Sequence, residues 1–267
     1  MPCQLLADCL DEIFKYLEED KVALCSCLLV NNLWCEVFVQ ILWTNIQNYN
    51  TLIACLPHES KELLHENEII ISTPTSKPTL FNYVAFIKNL SMSEIFYNLR
   101  NLLHQPISSE RFDKVILIIQ KIFKMVMNQI SLKRLEFHNS RSFSDDIPFT
   151  IYPGAIDCLR NLSELKCDAF ICSGFLSQIS QICHNLQSLE LYIQDTSDEL
   201  ANLISIQQDL KYLSIIDYSD DGKLTKIIPS ITKHADHLIK LHITLTETNI
   251  STHCRLLPNS QIYENFY

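Results

Sequence analysis

Glycine is nearly missing from this chain. Only Gly154, Gly174 and Gly222 occur among 267 residues. A phosphate-cradling loop or a dinucleotide-binding turn needs several glycines close together, because the backbone must approach its ligand. Neither can be built here. Basic residues are short as well: 21 Lys and Arg stand against 31 Asp and Glu, a net charge of -10. Binding to nucleic-acid phosphates needs a basic face, so this balance argues against a nucleic-acid partner. Long apolar runs are absent. A membrane span takes roughly 20 apolar residues, whereas Val22–Val30 has nine and KVILIIQKIFKMVM is broken by Gln120, Lys121 and Lys124. The opening MPCQLLADCLDEIF turns acidic at once, without the basic start of a secretory signal. Cysteine is plentiful, at 11, but never in a C-x-x-C pair. An odd count without a secretory signal points to reduced thiols in the cytoplasm or nucleus. Those inside apolar periodic runs (Cys25, Cys27, Cys167, Cys183) are expected to serve as small core hydrophobes.

What is present is apolar: 47% of residues are hydrophobic, enough for a sizeable core in one elongated domain or two compact ones. Residues 1–46 resolve into three short helices. The first sets Leu10, Ile13, Phe14 and Leu17 on one face, with Asp8 placed to cap its start. The second is Val22–Val30, preceded by Asp20 as its cap. The third, NNLWCEVFVQILW, has Leu33, Val37 and Ile41 at helical spacing. The second helix is apolar on nearly every side, with only Ser26 polar, and such a helix must be covered all round. Three short helices bury too little surface to do so alone. Each Leu or Val left wet forgoes roughly 1.5–3 kcal/mol. The missing cover is either the rest of this chain or another protein.

This N-terminal pattern resembles an F-box: a leading Leu pair, the helix DEIFKYL, an acidic turn, VALCSCLLVNNLW, and a closing Leu42-Trp43. LVNNLW matches the family's Val-Ser-x-x-Trp centre, while Ala7 stands where the family usually has proline. The resemblance implies a module that docks the SKP-type adaptor of a cullin-RING ubiquitin ligase through Leu5, Leu6, Leu10, Ile13, Leu17, Leu28, Val30, Trp34 and Trp43. The competing expectation is that these helices only cap the domain that comes after them.

Residues 47–81 read as two short helices broken at Pro57, followed by the loop STPTSKPT. Thr73-Pro74 within it matches a phosphorylation site, but the reading preferred is a solvated loop. From 82 to 267 the chain repeats. LKRLEF, LSELKC, LQSLEL, LKYLSI and LIKLHI begin at 132, 162, 186, 210 and 238 and share L-x-x-L-x-apolar. FIKNLSM near 86 is a weaker relative. As short strands, each hexamer turns its fourth and sixth residues inward to stack on the next coil. FLSQISQIC and ELANLISI read as outer helices, and SERFDKVILIIQKIFKMVMNQI as a longer one with Val115, Ile118, Ile119, Ile122 and Val126 on one face, a core helix of an enlarged first repeat rather than a partner-binding box. The last strand is expected to end near Thr246, leaving the C-terminal residues as an end cap.

The spacing is similar to that of leucine-rich repeats, and CHNLQSLEL to the cysteine-containing subtype often found behind an F-box. The usual asparagine ladder is missing, since its places hold Ser140, Phe170, Gln194, Tyr218 and Thr246, so irregular turns are expected. The resemblance implies an α/β fold: an N-terminal three-helix F-box module followed by an irregular leucine-rich-repeat solenoid with a parallel sheet and outer helices. Outward residues then form columns across the sheet: Arg134, Glu164, Ser188, Tyr212, Lys240; Glu136, Lys166, Glu190, Ser214, His242; His138, Asp168, Tyr192, Ile216, Thr244. Among them Arg134, Glu136, Lys166, Tyr192, Tyr212 and Lys240 are the candidates for gripping a protein substrate, set against a plain solvated face whose charges pair.

Catalytic readings fail on geometry. Cys183 and His184 are sequence neighbours, which point apart. His234 and His237 lack a third metal ligand at sensible spacing, and Asp220-Asp221-Gly222 lacks the glutamate of a calcium loop. The expectation is a non-catalytic, cofactor-free substrate-recognition subunit of an SCF-type ubiquitin ligase, cytoplasmic or nuclear. The alternative is a standalone repeat scaffold.

Overall fold

The structure is a computed structural model that describes residues 9–10, 12–13, 16–17, 20–69, 79–103, 109–137, 152–168, 173–218, 223–245 and 261–263. It is an α/β chain built on one seven-stranded parallel sheet whose strands follow one another in sequence order. Its N-terminal helices are α1 (Lys21–Cys27) and α2 (Asn32–Leu42), followed by α3 (Tyr49–Ala54) and α4 (His58–Glu66). Then come β1 (Asn89–Ser91), α5 (Met92–Leu102), α6 (Ser109–Met127), β2 (Arg134–Phe137), α7 (Ala155–Leu159), β3 (Glu164–Asp168), α8 (Ser173–Ile182) and β4 (Ser188–Ile193). The chain continues through α9 (Asp198–Ser205), β5 (Tyr212–Asp217), α10 (Ile228–Thr232), β6 (Lys240–Leu245) and β7 (Gln261–Tyr263). Among the described residues no helix is long and apolar enough to cross a membrane.

The start signals act as the residues dictate. Asp20 accepts from the Ala23 N–H at 2.9 Å and Asn31 from the Trp34 N–H at 3.0 Å, satisfying donors that a helix's first turn leaves open. Pro57 separates α3 from α4 and stands at the N-cap of α4, where its missing N–H is not needed. Asp8 and the loop around Thr73-Pro74 lie outside the described residues.

The hexamers become β2 to β6, in register: Leu135, Leu165, Leu189, Leu213 and Leu241 are paired neighbours, as are Phe137, Cys167, Leu191, Ile215 and Ile243. All are buried except Ile243, which is half-buried. They share one core with the helices, including all five apolar residues expected on the face of α6. Gly154, the one described glycine with positive φ (80°), sits where a Cβ would come within 2.5 Å of the Met127 carbonyl. It lets α7 start hard against the end of α6.

A single backbone unit joins successive coils. The carbonyl just before each strand accepts two N–H groups from the entry of the next: Lys88 from Lys133 and Arg134, Lys133 from Ser163 and Glu164, Ser163 from Gln187 and Ser188, Gln187 from Lys211 and Tyr212, Lys211 from Ile239 and Lys240. Thr44, just after α2, does the same for Lys88 and Asn89. Trp43 therefore occupies the first place of a rudimentary opening coil, and Ile46, packed on the main core, its fourth.

On the helix side, buried polar atoms replace the absent asparagine ladder. Cys183 Sγ donates to the Leu159 carbonyl at 3.2 Å. The Gln207 amide donates to the Cys183 carbonyl at 3.0 Å and accepts from the Leu186 N–H at 3.0 Å. His234 Nε2 donates to the Ile204 carbonyl at 2.7 Å. Each reaches back one coil, meeting backbone groups that burial would otherwise leave unpaired. Of the expected ladder places, Ser140, Phe170 and Thr246 lie outside the described residues. At Tyr218 it is the backbone N–H that closes the corner, on Ile193.

Two expectations are corrected. The strand ending at Leu245 is not the last, because β7 pairs with β6 in register. Cys25 is not a core residue but exposed, and Cys27 is half-buried: among the described residues the small core takes Leu24 from α1, and Cys25 falls on another face of the helix. Cys167 and Cys183 are buried, and burial pushes both thiols up to about 12.

Candidate functional site

Two surfaces stand out. The first lies on the N-terminal helices. Leu10, Leu24, Val37 and Phe38 form a small core of their own, separate from the main one. It draws on one face of α1. The other face and the turn after it carry Val22, Leu29 and Val30, which are 79%, 87% and 54% exposed; Ile13 and Tyr16 are exposed as well. Leu29 and Val30 follow the helix in a tight turn, their N–H groups bonded to the Ser26 and Cys27 carbonyls.

The residues singled out for docking divide accordingly. Ile13 and Val30 are open, while Leu17, Leu28 and Trp34 are half-buried around the small core. Trp34 lies 5.9 Å from Phe38, ring centre to ring centre. Leu5 and Leu6 lie outside the described residues. Two assignments are corrected. Leu10 is buried as the floor of the small core. Trp43 is 7% exposed, its ring 4.4 Å from that of Tyr83. Both side chains are already covered by this chain, so neither offers area to a partner. Val22 and Leu29 were missed as individuals, although the unbroken apolar run already contained them.

The second surface is the open face of the sheet. The pairings reproduce the three outward columns, with His138 outside the described residues. Arg134 meets Glu164 at 2.6 Å across β2 and β3. Lys166 Nζ reaches Glu190 at 3.2 Å and lies 5.5 Å from the centre of the Tyr192 ring. The Tyr192 hydroxyl donates to the same Glu190 oxygen, and its ring stacks on Tyr218 with centres 6.4 Å apart. Burial disfavours the Lys166 charge, but hydrogen bonds to Tyr192 and Glu190 outweigh it and hold the ammonium above its ordinary pKa. Burial first, and the Glu190 carboxylate second, push the Tyr192 phenol up to about 12. Glu136 is half-buried beside Lys166. Asp168 differs from its column mates in being buried.

Toward β6 the face opens into a pocket of about 550 Å³ lined by Ser188, Glu190, Tyr212, Ser214, Lys240 and His242. Tyr212 is 45% exposed at its rim. His242 is held between Ser214 Oγ, 3.3 Å from Nδ1, and Thr244 Oγ1, 3.4 Å from Nε2. Of the six candidate substrate residues, Tyr212 and Lys240 come together here. Arg134, Glu136, Lys166 and Tyr192 belong to the other half of the face. Ser188, Ser214 and His242 were placed in the right columns but not singled out, since nothing in a strand pattern marks where a sheet face hollows.

Among the described residues no group of three or more His, Cys, Asp and Glu side chains is placed to hold a metal. Cys183 points into the core, while the exposed His184 donates to the Ser180 carbonyl at 3.1 Å, so the two do not form a pair. Comparison of the chain with models of protein families and with curated protein sequences gave no match.

Proposed function

We propose that this chain is the substrate-receptor subunit of an SCF-type cullin-RING ubiquitin ligase, an F-box followed by leucine-rich repeats, working in the cytoplasm or nucleus. Its N-terminal helices dock an SKP-type adaptor, and its coils hold a target protein. It contributes proximity, not chemistry: ubiquitin transfer is done by an enzyme recruited elsewhere in the complex. The observation that carries the reading is the open side of α1, where Val22, Leu29 and Val30 remain in water after the chain has folded. Covering side chains of this kind stabilises by roughly 1.5–3 kcal/mol each, and an adaptor is a cover of the right kind. The in-register hexamers support the repeat half of the reading.

A second reading, a standalone scaffold whose first helices cap the sheet, is favoured by the Thr44 carbonyl, which accepts from Lys88 and Asn89 at the outer strand. Calorimetric titration with purified SKP-type adaptor separates the two. Tight binding that Leu29→Asp with Val30→Asp abolishes is the expected result. No binding by the unaltered chain removes the ligase reading and leaves the scaffold.

A further inference from the structure

We propose that the strand-entry edge of the first coils, where Lys88 and Lys133 stand side by side, docks an acidic, extended segment of the partner protein through two of its carboxylates. This deepens the receptor reading and rests on it only for the fate of the captured protein. The two lysines hold the same place in successive coils, just before β1 and β2, and the Lys88 carbonyl accepts from the Lys133 N–H at 2.8 Å. Neighbouring strands lie about 4.8 Å apart, so two like charges share one short stretch of edge. Like charges in neighbouring places of a sheet are destabilising, a cost that an anionic partner relieves. Lys133 is exposed and Lys88 half-buried.

The chain itself shows how such a lysine is neutralised from within. Lys211 holds the same place before β5, and Asp209, just ahead of that hexamer, meets it at 3.0 Å and also accepts from the Gln187 amide. In the two earlier coils this acid is missing, since Ser131 precedes Leu132 and Phe86 precedes Ile87. Ser131 instead accepts from the Asn161 amide at 3.2 Å. Among the described residues neither Lys88 nor Lys133 has an ion-pair partner. The charge of Lys88 reaches the Cys158 thiol, but burial keeps that thiol at about 11, so it supplies no counter-charge at neutral pH. Asn89, Asn161 and Ser163 along this edge are neutral and bonded within the chain, and the nearby Glu164 is held by Arg134 at 2.6 Å. The remaining acids of the chain act weakly here, because salt screens exposed charges beyond about 8 Å.

The form of the anion follows from what the edge has already used. A phosphoryl group is ordinarily met by backbone N–H groups or an arginine fork. The N–H groups of Lys133, Arg134, Ser163 and Glu164 are taken by the carbonyls of Lys88 and Lys133, and Arg134 is occupied. What is left is two separate point charges, which suit two separate carboxylates. Alternate residues of an extended segment lie about 6.6 Å apart on one side, within reach of two long, flexible lysines.

The test uses the immobilised full chain and three pools of short fluorescein-labelled peptides, degenerate except for a central Glu-x-Glu, Gln-x-Gln or single phosphoserine. Two exposed ion pairs predict about fivefold higher retention of the Glu pool than of the Gln pool, a ratio that falls as salt is added. Lys88→Gln with Lys133→Gln should remove the preference. Ser131→Asp, which gives Lys133 the internal acid that Lys211 has, should cut it to about half. Lys211→Gln should leave it unchanged. Circular dichroism confirms that each variant is folded. Equal retention of the Glu and Gln pools overturns the proposal, as does stronger retention of phosphoserine, a preference that survives the double lysine change, or one that Lys211→Gln abolishes. Adaptor capture is measured on the same preparation. A chain that binds adaptor without the Glu preference overturns the lysine edge alone, and one with the preference but no adaptor binding overturns the ligase reading alone.

Discussion

The two cores of this protein obey the same physics at different sizes. The main one gathers helices and strands from Leu52 to Leu241 into one continuous set of buried side chains. The N-terminal one rests on four buried side chains, Leu10, Leu24, Val37 and Phe38, and leaves much of α1 wet. Buried fraction rises with the amount of chain enclosed, so a short helical unit cannot cover an all-apolar helix. Stability therefore resides in the larger core, and the smaller one leaves Val22, Leu29 and Val30 exposed. Within the sheet face the same contrast recurs on a smaller scale: the half around Lys166, Glu190 and Tyr192 is knitted together internally, and the half around Lys240 and His242 forms a hollow.

Perturbing each core in turn tests this contrast, and the largest effect is alkaline. Burial raises the thiols of Cys158 to about 11 and of Cys167 and Cys183 to about 12. In the unfolded chain they ionise near 9, so between about pH 9 and 12 the folded state binds more protons and its stability falls as pH rises. That stabilisation is fully present below about pH 9. Denaturant titrations across this range should show the main core failing, with a shallower fall in Cys183→Ala. Phe123→Ala, at the centre of that core and fully buried, should destabilise by about 3–5 kcal/mol. Trp43→Ala ranks beside or just below it. Because the tryptophan stacks on Tyr83 and stands beside the Thr44 carbonyl that receives Lys88 and Asn89, thermal melts should show the main transition falling. An unchanged main transition would show that it does not brace the sheet. Gln207→Ala strips partners from buried backbone groups of the preceding coil and should cost about 1–3 kcal/mol. Smallest of all, Leu29→Ser with Val30→Ser should move the melting transition by no more than about 0.5 kcal/mol while lowering self-association in light scattering.

Much of this was legible in residue order. Period-two alternation in five hexamers fixed strands, register and inward residues, because a parallel sheet buried on one face allows no slip of a single residue. Asp20, Asn31 and Pro57 marked helix starts through local chemistry. Other features had no local signature. β7 lacks the leading apolar residue: Asn259 stands in its place. The opening coil at Trp43 ends on Asn48, which instead caps α3 through the Thr51 N–H, so the motif is interrupted by a second duty of the same residue. The exposure of Cys25 and the burial of Trp43 depend on which side of a helix finds a neighbour, and the composition of the helix does not encode that. The hollow at Lys240 is a property of three strands together.

The carbonyl rung that begins at Thr44 has a mechanical consequence. Because one identical bond pair links the first helices to the sheet and each coil to the next, the molecule acts as a ruler whose handle is its own first gradation. Deleting or duplicating a coil between β1 and β4 would carry the Lys240 hollow along the ruler by one strand spacing, about 4.8 Å. Reach in such a protein is adjustable only in whole steps, and a transplanted handle will hold its bearing only if residues 43–45 travel with it.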